Sequence, residues 1–432
     1  MKYVSTRDHD YRQLMSFTDA VLNGLAPDGG LYMPQHFPVL PAKVLKKFSD
    51  LSLSQIAWQM LIPFVDGDFS EQQLSDICDQ AFNFHLPTVQ LEANLLCLEL
   101  FHGPTMAFKD VGARFMARVL SCIAQQKGKE IKVVVATSGD TGSAVASGFF
   151  KVPGIRVFIL FPKGRVSTAQ QMQLTTWGEN ITAIEIEGGF DDCQHCVKQL
   201  LSAQNQNNGS ILTSANSINI ARLLPQMVYY AKAWAENQDK NLIFSVPSGN
   251  FGNLTAGLMA AAMGVPVKHF IAATNVNDVV PLYLKKGTFI PRPSVATLSN
   301  AMDVGNPSNF ERMLHLFGNN HNRMQTNISG IGFADTETLH AMQQLHEHYG
   351  YVADPHGAIG YLGAKHFASC FPGATFVFLE TAHPAKFSDT TKHALGIEVE
   401  VPERLAAFFS KKEQKITLPN DFQLVHKLVC GA

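Results

Sequence analysis

An α/β protein built on open parallel sheets is what this 432-residue chain predicts. Two observations carry that expectation. The first is a set of short, nearly continuous apolar runs, Ile131–Ala136, Val157–Phe161, Ile181–Ile186, Leu242–Val246, His269–Ala273 and Thr375–Leu379. Such runs, bounded by turn residues, suit strands buried on both faces, as in a parallel sheet. The second is the amphipathic stretches between them. Val111–Gln126 places Val111, Phe115, Val119 and Ile123 on one helical face, and Asn219–Glu236 also reads as a helix. Strands alternating with helices imply right-handed crossovers. The first ninety or so residues read instead as helical, over Tyr11–Leu25 and Leu51–Phe64. The polar, Asn-rich Asn319–Ser329 predicts a surface loop, and the stretch from Pro402, with Lys411 and Lys412, a solvated face.

Composition narrows the function classes. Hydrophobic residues make up 46% of the chain and charged residues 16%, so it can bury enough apolar surface to fold, and disorder is excluded as its main state. The length suggests two to three domains. The 34 Lys+Arg against 36 Asp+Glu leave a formal charge of −2, which argues against nucleic acid as the main ligand. Seven scattered cysteines predict reduced thiols. No signal peptide and no membrane-length apolar window are evident, so a cytoplasmic protein is expected. Cys193 and Cys196 fall in an apparent helix, Phe190–Gln204, without a second CxxC pair or His cluster, so no metal is expected.

The chemistry is sought in the turns after strands, where open α/β sheets bind ligands. After Ile131–Ala136 comes Thr137-Ser-Gly-Asp-Thr-Gly-Ser143, and after Leu242–Val246 comes Pro247-Ser-Gly-Asn-Phe-Gly-Asn253, each opening a helix. Small residues at a helix start expose backbone N–H groups where the dipole favours an anion. Neither loop has the Walker or dinucleotide spacing. Each alone is equally a capped helix start; together with a third unusual turn, Thr381-Ala-His-Pro-Ala-Lys386, they favour a bound anionic cofactor. Lys109 opens the helix that follows Phe101–Phe108. There the positive helix end and apolar Met106, Ala107 and Phe108 would lower its pKa, as a Schiff-base nucleophile requires; the alternative is a snorkelling surface lysine.

Seven strings in order, His102-Gly-Pro-Thr-Met-Ala-Phe-Lys109-Asp110, Thr137-Ser-Gly-Asp-Thr-Gly142, Ser214-Ala-Asn-Ser-Ile-Asn219, Val246-Pro-Ser-Gly-Asn-Phe-Gly252, Ala273-Thr-Asn-Val-Asn277, Leu298-Ser-Asn-Ala-Met-Asp303 and Thr381-Ala-His-Pro-Ala-Lys-Phe387, closely resemble the threonine synthase family. The resemblance runs from end to end. It implies a pyridoxal-phosphate enzyme of fold type II (tryptophan-synthase-β-like), with two open parallel-sheet domains and a mainly helical N-terminal region. The implied division is 1–92 for that region, 93–128 with 226–432 for the large cofactor domain, and 129–225 for a smaller inserted domain. The implied reaction, the last step of threonine biosynthesis, converts O-phospho-L-homoserine and water to L-threonine and phosphate. The alternative is a phospholyase releasing 2-oxobutyrate, ammonia and phosphate from the same substrate.

By the same resemblance, Lys109 carries the cofactor and shuttles protons. Ser248, Gly249, Asn250, Phe251 and Gly252 wrap the cofactor phosphate, and Thr381 faces the pyridine nitrogen. Ser138, Gly139 and Thr141 receive the substrate carboxylate, with Asp140 beside the cofactor's 3′-oxygen, where many fold relatives have Asn. A carboxylate there would repel its neighbours unless protonated or turned away. Asn216, Ser217, Asn219 and Arg222 resemble the substrate-phosphate site, with Lys163 and Lys386 as further candidates. The expected partner is the small-molecule substrate, and the expected assembly a monomer or homodimer.

Overall fold

The computed structural model describes residues 1–203 and 211–431. Its larger sheet has six strands in the order Ile328–Gly332, His269–Thr274, Leu242–Pro247, Thr375–Glu380, Leu95–Glu99 and Thr88–Glu92, parallel throughout except for the last pair. The second sheet has five parallel strands, in the order Lys415–Pro419, Ile181–Glu187, Ile155–Pro162, Ile131–Ala136 and Ile211–Ser214. All six expected strands are present. Every residue of Ile131–Ala136, Leu242–Pro247, His269–Thr274 and Thr375–Glu380 is buried, as helices on both faces require.

The helix Lys109–Lys127 buries Val111, Phe115, Val119 and Ile123 and stops at Gly128, whose φ of 60° suits glycine. Each such side chain contributes roughly 1.5–3 kcal/mol when taken from water. In the N-terminal region, Ser52 and Ser70 form capping boxes with Gln55 and Gln73 at the starts of helices Leu53–Val65 and Glu71–Ala81. Leu53–Val65 packs against Glu71–Ala81 and against helix Met227–Ala235. A two-stranded antiparallel ribbon, Tyr3–Ser5 with Tyr32–Pro34, accompanies these helices.

Several expectations change. The helix read over Tyr11–Leu25 is only Phe17–Asn23, because Met15 pairs with Tyr3 and Ser16 caps the helix through the Asp19 N–H. Asn219–Glu236 divides into Ile220–Leu223, a 3₁₀ turn Leu224–Gln226 and Met227–Ala235, with Pro225, which lacks an N–H, at the break. Asn319–Ser329 is not a loop. Asn320 caps helix His321–Asn327, and Ile328 begins an edge strand. The stretch from Pro402 is more than a solvated face, since Leu405, Phe408, Val425 and Val429 are buried. Its strand Lys415–Pro419 pairs with Ile181–Glu187, so the second sheet draws on more than 129–225, and 226–432 does not all belong with the larger sheet. The expected helix from Phe190 runs to Ser202, and Gln204 lies outside the described residues. Cys193 and Cys196 face the core, where burial pushes their thiols up to about 12 and about 11. Among the described residues no helix is long and apolar enough to cross a membrane.

Candidate active site

A cleft of ≈ 1360 Å³ gathers the turns that follow the carboxyl ends of strands in both sheets. Lys109 reaches it from the first residue of its helix. The turn before it is tied down on two sides: the Phe108 N–H donates to the Thr381 carbonyl at 2.8 Å, and the Tyr229 hydroxyl donates to the Phe108 carbonyl. Asp110 accepts from the Thr105 N–H at 2.9 Å and the Thr105 hydroxyl at 2.6 Å. Gly103 makes room for this, since a Cβ there would stand 2.5 Å from an Asp110 oxygen. Burial lowers the Lys109 amine below the usual lysine range; Asp140 acts against this, while the charges of Lys386 and Arg222 reinforce it. Among the described residues its Nζ makes no hydrogen bond, and it lies 5.0 Å from the Phe108 ring centroid.

The turn Ser248–Gly252 leads into helix Gly252–Ala262, with Phe251 in the left-handed region at φ 59°. The Ser248 N–H donates to the Ala273 carbonyl at 2.8 Å, whereas the N–H groups of Gly249, Asn250, Phe251 and Gly252 have no backbone acceptor among the described residues. Asn250 spans the cleft rim, donating to Ser217 Oγ and accepting from the Ser308 N–H at 2.6 Å. In the other loop, Thr137 Oγ1 accepts from the N–H groups of Gly139 and Gly142 at 3.0 and 2.9 Å, fixing the turn that presents Ser138, Gly139 and Thr141 to the cleft.

Asp140 is buried and ionised. Burial alone would raise its carboxyl, but the Lys386 and Lys109 charges outweigh that and hold it below the usual carboxylate range. Lys386 Nζ stands 2.5 Å from Asp140 Oδ1 and also donates to the Thr105 carbonyl at 3.0 Å. Gln170 donates to the same carboxylate at 3.1 Å. Lys386 is therefore the partner that makes an acid tolerable here, with its ammonium already engaged by Asp140. Lys163 is no part of the cleft, being exposed and paired with Glu187 at 2.8 Å.

The segment Asn216–Arg222 divides in two. Asn216, Ser217 and Arg222 line the cleft, whereas Asn219 is fully buried and does not. Its side chain caps the Ala221 N–H and donates to the carbonyls of Val21 and Ser214 at 2.8 and 3.1 Å. Asn216 lines the cleft while its amide bridges both backbone groups of Ala136. Arg222 donates from Nη1 to the Ala215 carbonyl at 2.7 Å, and its Nε is buried without a partner among the described residues. Burial pushes its pKa down to about 10.

Thr381 also lines the cleft, between two residues bound to Asp354. The Ala382 N–H donates to Asp354 Oδ2 at 3.1 Å, and the Asp354 N–H donates to Glu380 Oε1 at 2.6 Å. Burial and the nearby Asp354 charge push the Glu380 carboxyl well above its usual range. Asp354 Oδ1 also meets His356 Nδ1 at 2.5 Å, and His356 faces the cleft. Sequence reasoning missed this pair. The available signal was Asp354-Pro355, an N-cap followed by proline at the first helical position, opening Pro355–Phe367.

Residues 84–381 match the family described as pyridoxal-phosphate dependent enzyme, residues 2–82 match the threonine synthase N terminus, and residues 357–429 match the threonine synthase C-terminal family. The threonine synthase of Escherichia coli K12 is 41% identical over 435 residues, covering 99% of each chain. The chain belongs to the threonine synthase family. The Haemophilus influenzae threonine synthase is 44% identical, covering 90% of this chain and 91% of the relative. Among solved structures, threonine synthase from E. coli superposes with a TM-score of 0.91 at 40% identity, covering 99% of each chain. A pyridoxal-phosphate-bound threonine synthase from Brucella melitensis has the same score at 37% identity, covering 100% of this chain and 99% of its own. Maize serine racemase, 15% identical with a TM-score of 0.56 over 76% of this chain and 92% of its own, shares the fold. The architecture is that of fold type II pyridoxal-phosphate enzymes.

The cleft residues of this threonine synthase family member fit that cofactor: an amine for its aldehyde, a helix start with free N–H groups for its phosphate, and the Thr381 hydroxyl. Gly249 admits one sharp check. A Cβ there would stand 2.7 Å from the Ala301 carbonyl oxygen and 2.7 Å from Met302 Cα, so Gly249→Ala must push the turn off its support. The dissociation constant for pyridoxal phosphate, measured by titrating apoenzyme, is expected to rise about tenfold or more. An unchanged constant would mean that the turn takes the methyl group without moving.

Proposed function

We propose that the protein converts O-phospho-L-homoserine and water to L-threonine and phosphate, the last step of threonine biosynthesis, in the cytoplasm. The observation that carries this reading is the convergence of Lys109 with two anion-ready turns and the partly unpartnered Arg222 in one cleft. Ser248, Gly249, Asn250, Phe251 and Gly252 would hold the phosphate of pyridoxal phosphate, and Thr381 would stand at its ring nitrogen. Bound at Lys109, the cofactor supplies an electron sink that makes the substrate's Cα–H, and then its Cβ–H, acidic.

The chain's own residues do the rest. The depressed amine of Lys109 accepts the Cα and Cβ protons in turn and returns protons at Cγ and Cα, while water adds its hydroxyl at Cβ and its remaining proton goes to the released phosphate. Ser138, Gly139 and Thr141 orient the substrate carboxylate at the start of helix Asp140–Phe149. Ser217 and Arg222, with Asn216 bracing the turn, hold the departing phosphate. Asp140, neutralised by Lys386, adds no net negative charge beside these anions. Fixed donors of this kind need no broad basic surface, in keeping with the formal charge of −2.

Product analysis tests the reading. Holoenzyme given O-phospho-L-homoserine should yield threonine and phosphate in equal amounts. Dominant 2-oxobutyrate and ammonia, without threonine, would reject it in favour of a phospholyase.

A further inference from the structure

Arg312 heads the fully buried large side chains, yet among the described residues the acceptors it meets are all neutral. Its Nε donates to the Tyr32 carbonyl at 3.2 Å, Nη1 to the Ser217 carbonyl at 3.1 Å and Asn309 Oδ1 at 2.7 Å, and Nη2 to the Ile218 carbonyl at 2.6 Å. Neighbouring Glu311 lines the cleft and is bound by Arg7 and Thr6; its charge acts on Arg312 without a hydrogen bond between them among the described residues. A buried guanidinium bonded to no carboxylate is costly, and burial, outweighing the Glu311 charge, pushes its pKa down to about 9.

What Arg312 holds is the wall of the cleft. Ser217 and Ile218 both line it. A trans peptide carries its C=O and N–H on opposite sides, so drawing the Ser217 carbonyl toward Arg312 turns the Ile218 N–H the other way. Neither that N–H nor the Ser217 N–H has a backbone acceptor among the described residues. The bond to Asn309 Oδ1 also fixes the Asn309 amide, whose buried Nδ2 has no partner among the described residues. That nitrogen lies 3.4 Å from where a Cβ on Gly252 would stand. Arg312 thus braces the Ser217–Ile218 turn directly and, through Asn309, is linked to the start of helix Gly252–Ala262.

We propose that Arg312 is a positioning residue for phosphate recognition: it sets the Ser217–Ile218 turn to receive the substrate's phosphate ester, and that phosphate adds a negative charge that none of its hydrogen-bond acceptors carries. This rests on the reading that the turn ahead of Arg222 takes the substrate phosphate. Arg312 reaches the anion through the turn and its field rather than by contact.

The test compares wild-type, Arg312→Lys and Arg222→Ala holoenzymes in KM and kcat for O-phospho-L-homoserine. It adds two binding readouts with inorganic phosphate as probe: its inhibition constant and its upward shift of the melting temperature. Arg312→Lys keeps the charge but loses the four-bond fork. It should raise KM and the phosphate inhibition constant about tenfold each and shrink the melting shift, with kcat far less affected. Should Arg312→Lys not fold, Asn309→Ala, which frees one arm of the fork, should move the same constants in the same direction. Normal KM and inhibition constants in the Arg312 or Asn309 variant, with raised values in Arg222→Ala, would overturn the proposal alone. Normal values in both sets would overturn the phosphate reading of the turn as well. A loss confined to kcat would also overturn the proposal, since a purely structural disturbance need not touch phosphate binding.

Discussion

Lys109→Ala is expected to lower kcat for O-phospho-L-homoserine at least about 10³-fold, the scale of losing a nucleophile that is also the acid–base group. The physical basis lies in how little stabilises the charged form of that amine. Lys109 opens a helix, where the dipole opposes a cation, and burial lowers its pKa further, with Lys386 and Arg222 adding to the effect. Of the acids in the cleft, Asp140 is occupied by Lys386. Two measurements check the result together. The variant should lose the absorption band of the lysine-bound cofactor, and an added small primary amine should restore part of the turnover. Retention of both band and rate would remove Lys109 from the chemistry.

The second large effect is expected in stability. Lys386→Met leaves Asp140 buried without its cation, and breaking a buried pair from one side costs about 3–5 kcal/mol. Chemical denaturation at neutral pH should show that loss, and Asp140→Asn in the same chain should recover part of it because the two sites touch. The pH dependence has a definite sign. The folded carboxyl of Asp140 is held below its unfolded value of about 3.9. The pair therefore contributes fully above that value, and its contribution fades as pH falls toward the folded pKa. Wild type and Lys386→Met should accordingly approach each other in stability below about pH 4. Equal stability at pH 7 would show that the Asp140 charge finds another partner.

The fold was legible where burial was symmetrical. Strands such as Leu242–Pro247, covered on both faces, announce themselves as unbroken apolar runs. The edge strand Lys415–Pro419 has no buried residue and two ionic or hydroxyl contacts to Glu185, so its Lys-Ile-Thr-Leu-Pro carries no such run. Ile328–Gly332 was hidden for the same reason, with only Ile328 buried. In the site, local motifs brought out the residues of each turn, but direction within a turn depends on partners far away in sequence. Asn219 faces Val21 rather than the cleft. Asp140 is reconciled to its place by Lys386, and Asp354, which meets His356 locally, reaches Glu380 and Ala382 only once the strand end Thr375–Glu380 lies beside it.

The pairing of Lys415–Pro419 with Ile181–Glu187 also orders events during synthesis. Four strands of the second sheet are made long before their fifth neighbour, and four of the larger sheet's six strands, from Leu242–Pro247 through Thr375–Glu380, emerge in between. Until then the backbone edge along Ile181–Glu187 has no strand beside it, and Glu185, buried in the finished protein, lacks both Lys415 and Thr417. The last strand thus acts as a latch. It covers the outer edge of the sheet that carries Ser138 and Asp140 only after every strand of the larger sheet has been made.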